Sequence, residues 1–150
     1  MVCILEPTAV MLSPAQFEEF SAFYVRHITQ SFTYSRASFV YHTCGNTMHL
    51  VESMGKAGVH GVSLDAPETG VDLREAAARV SDDVVVMGNI GPATTMRFGT
   101  PEDVRREARA LLESMRAVPN FVLSTGCDLP QETPLENIRA FMDVGRAWRG

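Results

Sequence analysis

Long apolar runs, basic clusters and paired cysteines are all missing from this sequence. No stretch of about 18 apolar residues is present, so no membrane-spanning helix is predicted. The net charge is −5 and the 13 lysines and arginines form no run, which argues against a nucleic-acid partner. The three cysteines do not resemble a secreted disulfide framework. We therefore expect reduced thiols and neither a membrane nor a nucleic acid among the partners.

The N-terminus also lacks the basic start and apolar core of a signal peptide, which makes a cytoplasmic location the default expectation. A chain of 150 residues with 45% hydrophobic residues suits one core, and no linker divides it. A single domain over residues 1–150 is predicted. Cys3 lies in an apolar run and is expected in its core.

Short β-rich runs alternate with longer helical periodicities along the chain, a pattern typical of a parallel α/β sheet. The predicted strands are Val2–Leu5, Ser38–His42, Gly61–Leu64, Val84–Met87 and Phe121–Ser124. A strand-loop-helix unit recurs about every 30 to 40 residues, as in βα barrels and doubly wound sheets. The fold class is therefore predicted to be α/β with parallel strands.

Capping residues mark where the predicted helices begin. The first starts after Ser13, runs to about Ser31 and carries four apolar residues at helical spacing: Phe17, Phe20, Tyr24 and Ile28. The other helices are predicted over Asn46 to Lys56, over Asp72 to Arg79, after Thr100-Pro101 and after Thr133-Pro134. Four residues of the last are expected to face inward: Ile138, Phe141, Met142 and Val144.

Polar side chains follow four of the five predicted strands, at the edge where parallel α/β folds place their active sites. In chain order they are Glu6, the pair His42 and Cys44, Asp65, and the pair Cys127 and Asp128. One imidazole and two thiols suit a zinc ion that keeps an open coordination position. A buried histidine with core thiols is the simpler alternative for the His-x-Cys pair taken alone.

The remaining strand-end residues have less specific interpretations. Glu6 and Asp65 are candidates for general acid or base groups, for substrate contacts or for support of the metal ligands, and a carboxylate that caps a turn is the alternative. The longest segment predicted to be irregular is Gly88 to Gly99. Its Asn89 suits a substrate carboxylate or phosphate, although a tight turn explains it equally well.

Together these motifs resemble the C-terminal half of the uroporphyrinogen decarboxylase superfamily, and within it the zinc-dependent methylcobamide:coenzyme M methyltransferases. The blocks that carry the resemblance are Glu6-Pro7-Thr8-Ala9, Leu12-Ser13-Pro14, Phe17-Glu18-Glu19-Phe20, His42-Thr43-Cys44-Gly45-Asn46, Gly88-Asn89-Ile90, the stretch from Phe98 to Val104, and Ser124 to Pro130 with Glu132-Thr133-Pro134. A decarboxylase proper is not expected to carry the His-x-Cys pair and the distant cysteine.

The resemblance implies a TIM barrel in which zinc activates a small thiol such as coenzyme M. The thiolate would attack the methyl group of a methylcorrinoid, carried by a corrinoid protein, and leave cob(I)alamin. The residues expected to take part are His42, Cys44 and Cys127 as metal ligands, Asp65 and Glu6 as catalytic groups, and Asn89 and Asn46 in substrate binding. The alternatives are decarboxylation of tetrapyrrole side chains and a non-catalytic zinc-binding barrel fragment.

Chain length sets a condition on this expectation. A TIM barrel typically has about 250 residues, so this chain would supply the last strand of the first half and the four units after it. In a flat sheet, the strand ends that carry Cys44 and Cys127 would lie roughly 14 Å apart, and curvature is needed to bring them together. Two free sheet edges would remain, which predicts a homo-oligomer, pairing with a separate N-terminal half, or a truncated product.

Overall fold

Five parallel strands form one sheet in the computed structural model, which describes residues 1–149. They are β1 (Val2–Leu5), β2 (Phe39–Thr43), β3 (Gly61–Leu64), β4 (Val85–Ile90) and β5 (Phe121–Thr125). Each strand pairs in parallel with the next one along the chain. The predicted α/β class with parallel strands is confirmed, and the order is that of consecutive barrel strands.

The helices cover one face of this sheet. They are α1 (Pro14–Phe17), α2 (Phe23–Ser31), α3 (Val51–Gly55), α4 (Leu73–Arg79), α5 (Pro101–Ser114) and α6 (Leu135–Ala147). Three caps form as predicted, because the side chains of Ser13, Asp72 and Thr100 each accept a backbone N–H of the following helical turn. In residues 1–149, no helix is long and apolar enough to cross a membrane.

The core lies between the sheet and these helices. Tyr41 of β2 and Leu64 of β3 are completely buried there, together with Phe17 and Met54 from the helices. A second cluster under α5 and α6 includes the buried Val104. Because side chains alternate along a strand, the neighbours of Tyr41 point to the opposite, concave face of the sheet. His42 of β2 and Ser63 of β3, which contact each other, face that side.

The first predicted helix is interrupted by a π-helical turn, Glu18–Ala22, between α1 and α2. A π-helical turn is wider than an α-helical one. The residues that face the core after Phe17 therefore recur every four positions, and Phe20, three positions after Phe17, is not among them. The inward residues are therefore Phe17, Ser21, Val25 and Thr29, whereas Phe20, Tyr24 and Ile28 are 60%, 58% and 44% exposed. Of the four apolar residues at helical spacing, only Phe17 is buried.

Two predicted segments differ from the structure in their boundaries. The helix expected over Asn46 to Lys56 begins only at Val51, after a turn at residues 48–50. The segment from Gly88 to Gly99 is not irregular, since β4 continues to Ile90 and a π-helix follows over Pro92–Arg97. Pairing of β4 with β5 from Val86 to Ile90 overrides the local glycine signal there.

Two single residues also depart from their predicted environment. Met142 is 44% exposed, because α6 turns Asn137, Ala140 and Val144 inward and Met142 lies on the opposite side of the helix. Cys3 is exposed rather than in the core. It lies on edge strand β1, and its side chain points to the concave face. In the described part of the chain, the helices pack on the opposite face.

Candidate metal centre

Three donor atoms meet at the carboxyl ends of β2 and β5. The Nε2 atom of His42 lies 3.5 Å from the Sγ of Cys44 and 3.6 Å from the Sγ of Cys127, and the two sulfurs are 3.7 Å apart. In residues 1–149 this is the one group of histidine, cysteine or carboxylate donors that could share a metal ion. The structure thus brings together the three residues predicted as metal ligands.

These spacings match the edges of a zinc coordination tetrahedron. With bonds of about 2.3 Å to sulfur and about 2.0 Å to nitrogen, tetrahedral angles place two sulfurs about 3.8 Å apart and a sulfur and a nitrogen about 3.5 Å apart. The three donors therefore fit zinc without rearrangement. Three protein ligands leave the fourth position of the tetrahedron for an exogenous group, which is the arrangement of catalytic zinc sites.

The imidazole of His42 is oriented by β3. Its Nδ1 lies 3.1 Å from the backbone oxygen of Ser63 and 3.2 Å from the Ser63 hydroxyl. A carbonyl oxygen can only accept, so Nδ1 carries the proton and donates it to Ser63. Nε2 then presents its lone pair toward the two thiols, as a metal-bound histidine requires. Ser63 was not predicted, although a serine at an inward position of an apolar strand is a signal that could have identified it.

The loop that carries Cys44 is held by Asp65, the first residue after β3. One carboxylate oxygen of Asp65 accepts the backbone N–H of Gly45 at 2.6 Å, and the other accepts that of Ala66 at 2.7 Å. Gly45 has a φ of 75°, a left-handed conformation that favours glycine. Cys44 is therefore followed at once by a turn fixed from the neighbouring strand.

The loop that carries Cys127 reaches the site through a close backbone contact at Gly126. A Cβ on this residue would lie 2.4 Å from the nitrogen of Ala66 and 2.8 Å from its Cα, so no larger residue fits without a shift. The N–H of Gly126 also donates to the backbone oxygen of Ile90 at 2.9 Å. Through these contacts the loop crosses the end of β4 and places Cys127 near Cys44. The two sulfurs are 3.7 Å apart, whereas a flat sheet would leave the two strand ends roughly 14 Å apart.

The electrostatic setting keeps the free thiol of Cys44 protonated. Burial, followed by the neighbouring Cys127 thiol and the charges of Asp65 and Asp128, raises the pKa of Cys44 to about 11. A thiol with this pKa is uncharged at neutral pH in the metal-free protein. A bound divalent cation reverses the preference, because it stabilises the thiolate and displaces the proton.

A cleft of about 130 Å³ opens beside the donors on the concave face. Its lining residues are Cys3, Leu5, His42, Ser63, Ser124, Thr125, Cys127 and Asp128. A larger groove of about 640 Å³ lies between α5 and α6, but surface residues such as Arg105, Glu113 and Trp148 line it and none of the three donors does. The small cleft is therefore the one of these two cavities that borders the donor atoms.

The predicted catalytic residue Glu6 lies on the helical side of the sheet. Its carboxylate accepts the hydroxyl of Tyr41 at 3.0 Å and that of Ser21, and so connects β1 to β2 and to the first helical segment. Burial, with a contribution from Glu6, raises the pKa of Tyr41. These are structural contacts, Glu6 does not line the cleft, and its predicted catalytic role stays a prediction.

The two asparagines predicted to bind substrate have different environments. Asn89 is 2% exposed, and its amide nitrogen donates to the backbone oxygens of Asp65 at 2.9 Å and Val71 at 3.5 Å. Asn46 is exposed and accepts the N–H of Met48 at 3.3 Å. Asn89 thus supports the Asp65 loop from below, while Asn46 lies outside the group of donors. Substrate binding by either residue stays a prediction.

Comparisons with known proteins place the chain in a family. The model of the family Uroporphyrinogen decarboxylase (URO-D) matches residues 1–148. The methylcobamide:CoM methyltransferase MtbA of Methanosarcina acetivorans is 28% identical over 99% of this chain and 42% of its own length. The uroporphyrinogen decarboxylase of Prochlorococcus marinus is 30% identical over 98% of this chain and 40% of its own.

A solved structure of a methyltransferase from Methanosarcina mazei superposes with a TM-score of 0.81 at 25% identity, over 95% of this chain and 40% of that one. The chain therefore spans about two fifths of the length of the relatives that it matches. Partial coverage together with the five consecutive parallel strands agrees with the predicted C-terminal part of a TIM barrel. The match over residues 1–148 shows that the chain belongs to the uroporphyrinogen decarboxylase family.

Proposed function

We propose that this chain carries the zinc centre of a methyltransferase that moves a methyl group from a methylcorrinoid to a small thiol such as coenzyme M. The observation that carries the proposal is the set of three donor distances, 3.5, 3.6 and 3.7 Å, which fit three corners of a zinc tetrahedron. A relative named as a methylcobamide:CoM methyltransferase supports the choice of donor and acceptor.

The chain's own residues would hold and orient the reacting groups. His42, Cys44 and Cys127 would bind zinc, which when present favours the thiolate form of a thiol and so supplies a nucleophile. Ser63 keeps the His42 lone pair directed at the site. The cleft beside the donors would admit a small thiol and restrict water around it. In the reaction, a carbon–sulfur bond replaces a carbon–cobalt bond, cobalt keeps the electron pair and the thiol proton is released.

Metal content and methyl transfer test this proposal directly. Purified protein is expected to hold about one zinc per chain, measured by mass spectrometry of the metal. Incubation with methylcob(III)alamin and coenzyme M should then convert the corrinoid spectrum in proportion to enzyme, and Cys127→Ser should abolish the change. Protein that is folded yet binds no zinc after incubation with the metal would contradict the proposal.

A second candidate is decarboxylation of tetrapyrrole side chains, which the family match and the relatives of that name favour. That activity requires no thiol pair at metal spacing. Turnover of a porphyrinogen that survives Cys127→Ser would support it against methyl transfer. The third alternative, a non-catalytic zinc-binding barrel fragment, stays a prediction. Zinc binding without binding of any thiol or corrinoid would support it.

The partners proposed for this function are a corrinoid protein, a small thiol, and a second polypeptide surface at the edge of the sheet. Among the described residues, β1 pairs with β2 alone, and in the helical segment that follows it Phe20, Phe23 and Tyr24 are exposed. Such an edge favours pairing with an N-terminal half or with another copy of the chain. Mass measurement by size-exclusion chromatography tests this, since a stable monomer would contradict it. Reduced thiol ligands further suit the cytoplasm.

A further inference from the structure

Asp65 and the residue after it lie between the two loops that carry the thiols. Cys44 follows β2, which is the neighbour of β3, and Cys127 follows β5, which is separated from β3 by β4. Asp65 follows β3 and is therefore within reach of both loops. Each of the two loops contacts this segment, the first through Gly45 and the second through Gly126. The position of each sulfur therefore depends on the segment that the two loops share.

On the side of Cys44, the contact is a pair of charge-assisted hydrogen bonds. Both carboxylate oxygens of Asp65 are used, one by the N–H of Gly45 at 2.6 Å and one by the N–H of Ala66 at 2.7 Å. The first bond holds the residue directly after Cys44, and the second fixes the turn in which Asp65 itself lies. A carboxylate engaged in this way is suited to holding backbone rather than to exchanging protons with a substrate.

On the side of Cys127, the contact is steric. The residue before this cysteine, Gly126, packs against the backbone of Ala66 and against the carbonyl carbon of Asp65, which would lie 2.9 Å from an added Cβ. The same segment is anchored from β4, because buried Asn89 donates to the backbone oxygen of Asp65 at 2.9 Å. The Asp65 turn is therefore fixed at three points.

We propose that Asp65 is a positioning residue that sets the distance between the two thiols of the metal centre, through the Gly45 and Gly126 contacts of its turn. The inference rests on the proposed zinc centre and gives Asp65 a role other than the predicted acid or base. It explains how sulfurs from the ends of β2 and β5 come to lie 3.7 Å apart.

The test compares Asp65→Asn with Asp72→Asn. Asp72 also accepts two backbone N–H groups, of Arg74 at 2.9 Å and Glu75 at 3.1 Å, but does so at the start of α4, outside the donor group. An asparagine keeps the shape at either position. At Asp65 it removes one of two accepting oxygens that are both in use, whereas at Asp72 one oxygen, Oδ1, accepts both N–H groups and is kept by the amide. Zinc affinity is measured by competition with a chromophoric chelator, and geometry by the absorption spectrum of the Co²⁺-substituted protein.

Asp65→Asn is expected to weaken zinc binding about 10- to 100-fold and to change the Co²⁺ spectrum, as other losses of support to metal ligands do. Asp72→Asn should leave both within about twofold of the wild type, since it alters no ligand support. An unchanged affinity and spectrum in Asp65→Asn would overturn the proposal, as would a loss of turnover alone, which is the result expected of an acid or base. Should Asp65→Asn not fold, Asn89→Ala releases the same turn and must show the same two effects. Wild-type protein that binds no zinc would instead contradict the proposed function.

Discussion

The metal centre and the β1 edge differ in how many of their contacts this chain supplies. At the metal centre, donors from the ends of β2 and β5 already lie within 3.7 Å of one another. At the edge, β1 has one neighbouring strand among residues 1–149, and Phe20 and Tyr24 in the helical segment that follows it are 60% and 58% exposed. The contrast indicates that contacts inside this chain set the spacing of the three donors, so the zinc binding that we propose should not depend on what covers the edge.

The strongest way to break this comparison is to remove one of the donors. Cys127→Ser should reduce zinc from about one per chain to below about a tenth, because a serine hydroxyl is a poor ligand for zinc beside one thiolate and one imidazole. Cys3→Ser is the matched control, since this thiol lines the same cleft but is not in the donor group. Equal zinc loss in both variants would show that the donor set is wrong.

The next largest effect is expected from Gly126→Ala. The new Cβ would lie 2.4 Å from the backbone nitrogen of Ala66, so the loop must move and take the Cys127 sulfur with it. We expect zinc affinity to fall about 100-fold, at the upper end of what lost ligand support costs. Gly145→Ala is the control, because its added Cβ would meet a side-chain atom of Leu123 at an ordinary 3.8 Å. Retained affinity in Gly126→Ala would mean that the loop position does not depend on this contact.

The strands and the donors could be predicted from the sequence because they depend on local patterns, and the features that were missed depend on contacts between distant residues. Strand alternation and helix caps are local, so the strand ends and the grouping of His42 with Cys127 could be predicted from them. The contact of Gly126 with Ala66 joins loops two strands apart and leaves no local pattern. The π-helical turn at Glu18–Ala22 likewise leaves no local pattern, so the helical spacing of Phe17, Phe20 and Tyr24 did not reveal that Phe20 and Tyr24 are exposed.

Solution pH should alter zinc binding continuously, by a smaller factor for each pH unit than the Gly126→Ala change. The pKa of Cys44 is raised to about 11, above the usual value for a thiol, so this residue is protonated in the metal-free protein at pH 6 to 8. Zinc must displace that proton, and affinity should therefore rise about tenfold per pH unit for this residue alone. Isothermal titration in buffers of different ionisation enthalpy measures the released protons. Affinity that stays constant over this range would contradict coordination by the Cys44 thiolate.

The smallest effect on zinc, and the one that sharpens the comparison most, is expected at the edge. Phe23 is 46% exposed on the side of the first helical segment that faces away from the core. Phe23→Glu places a charge on the apolar surface that we propose a partner covers, so association measured by analytical ultracentrifugation should weaken at least about tenfold, the effect of losing about 1.4 kcal/mol. Zinc content should stay within about a tenth of the wild type, because the donors depend on the Asp65 turn and on Gly126 rather than on this helix.

Met142→Glu, which adds the same charge at a 44% exposed position of α6, is the control and should change neither quantity. Loss of zinc in Phe23→Glu would instead show that the edge and the metal centre form one cooperative unit, so that the chain completes its site only when its edge is covered.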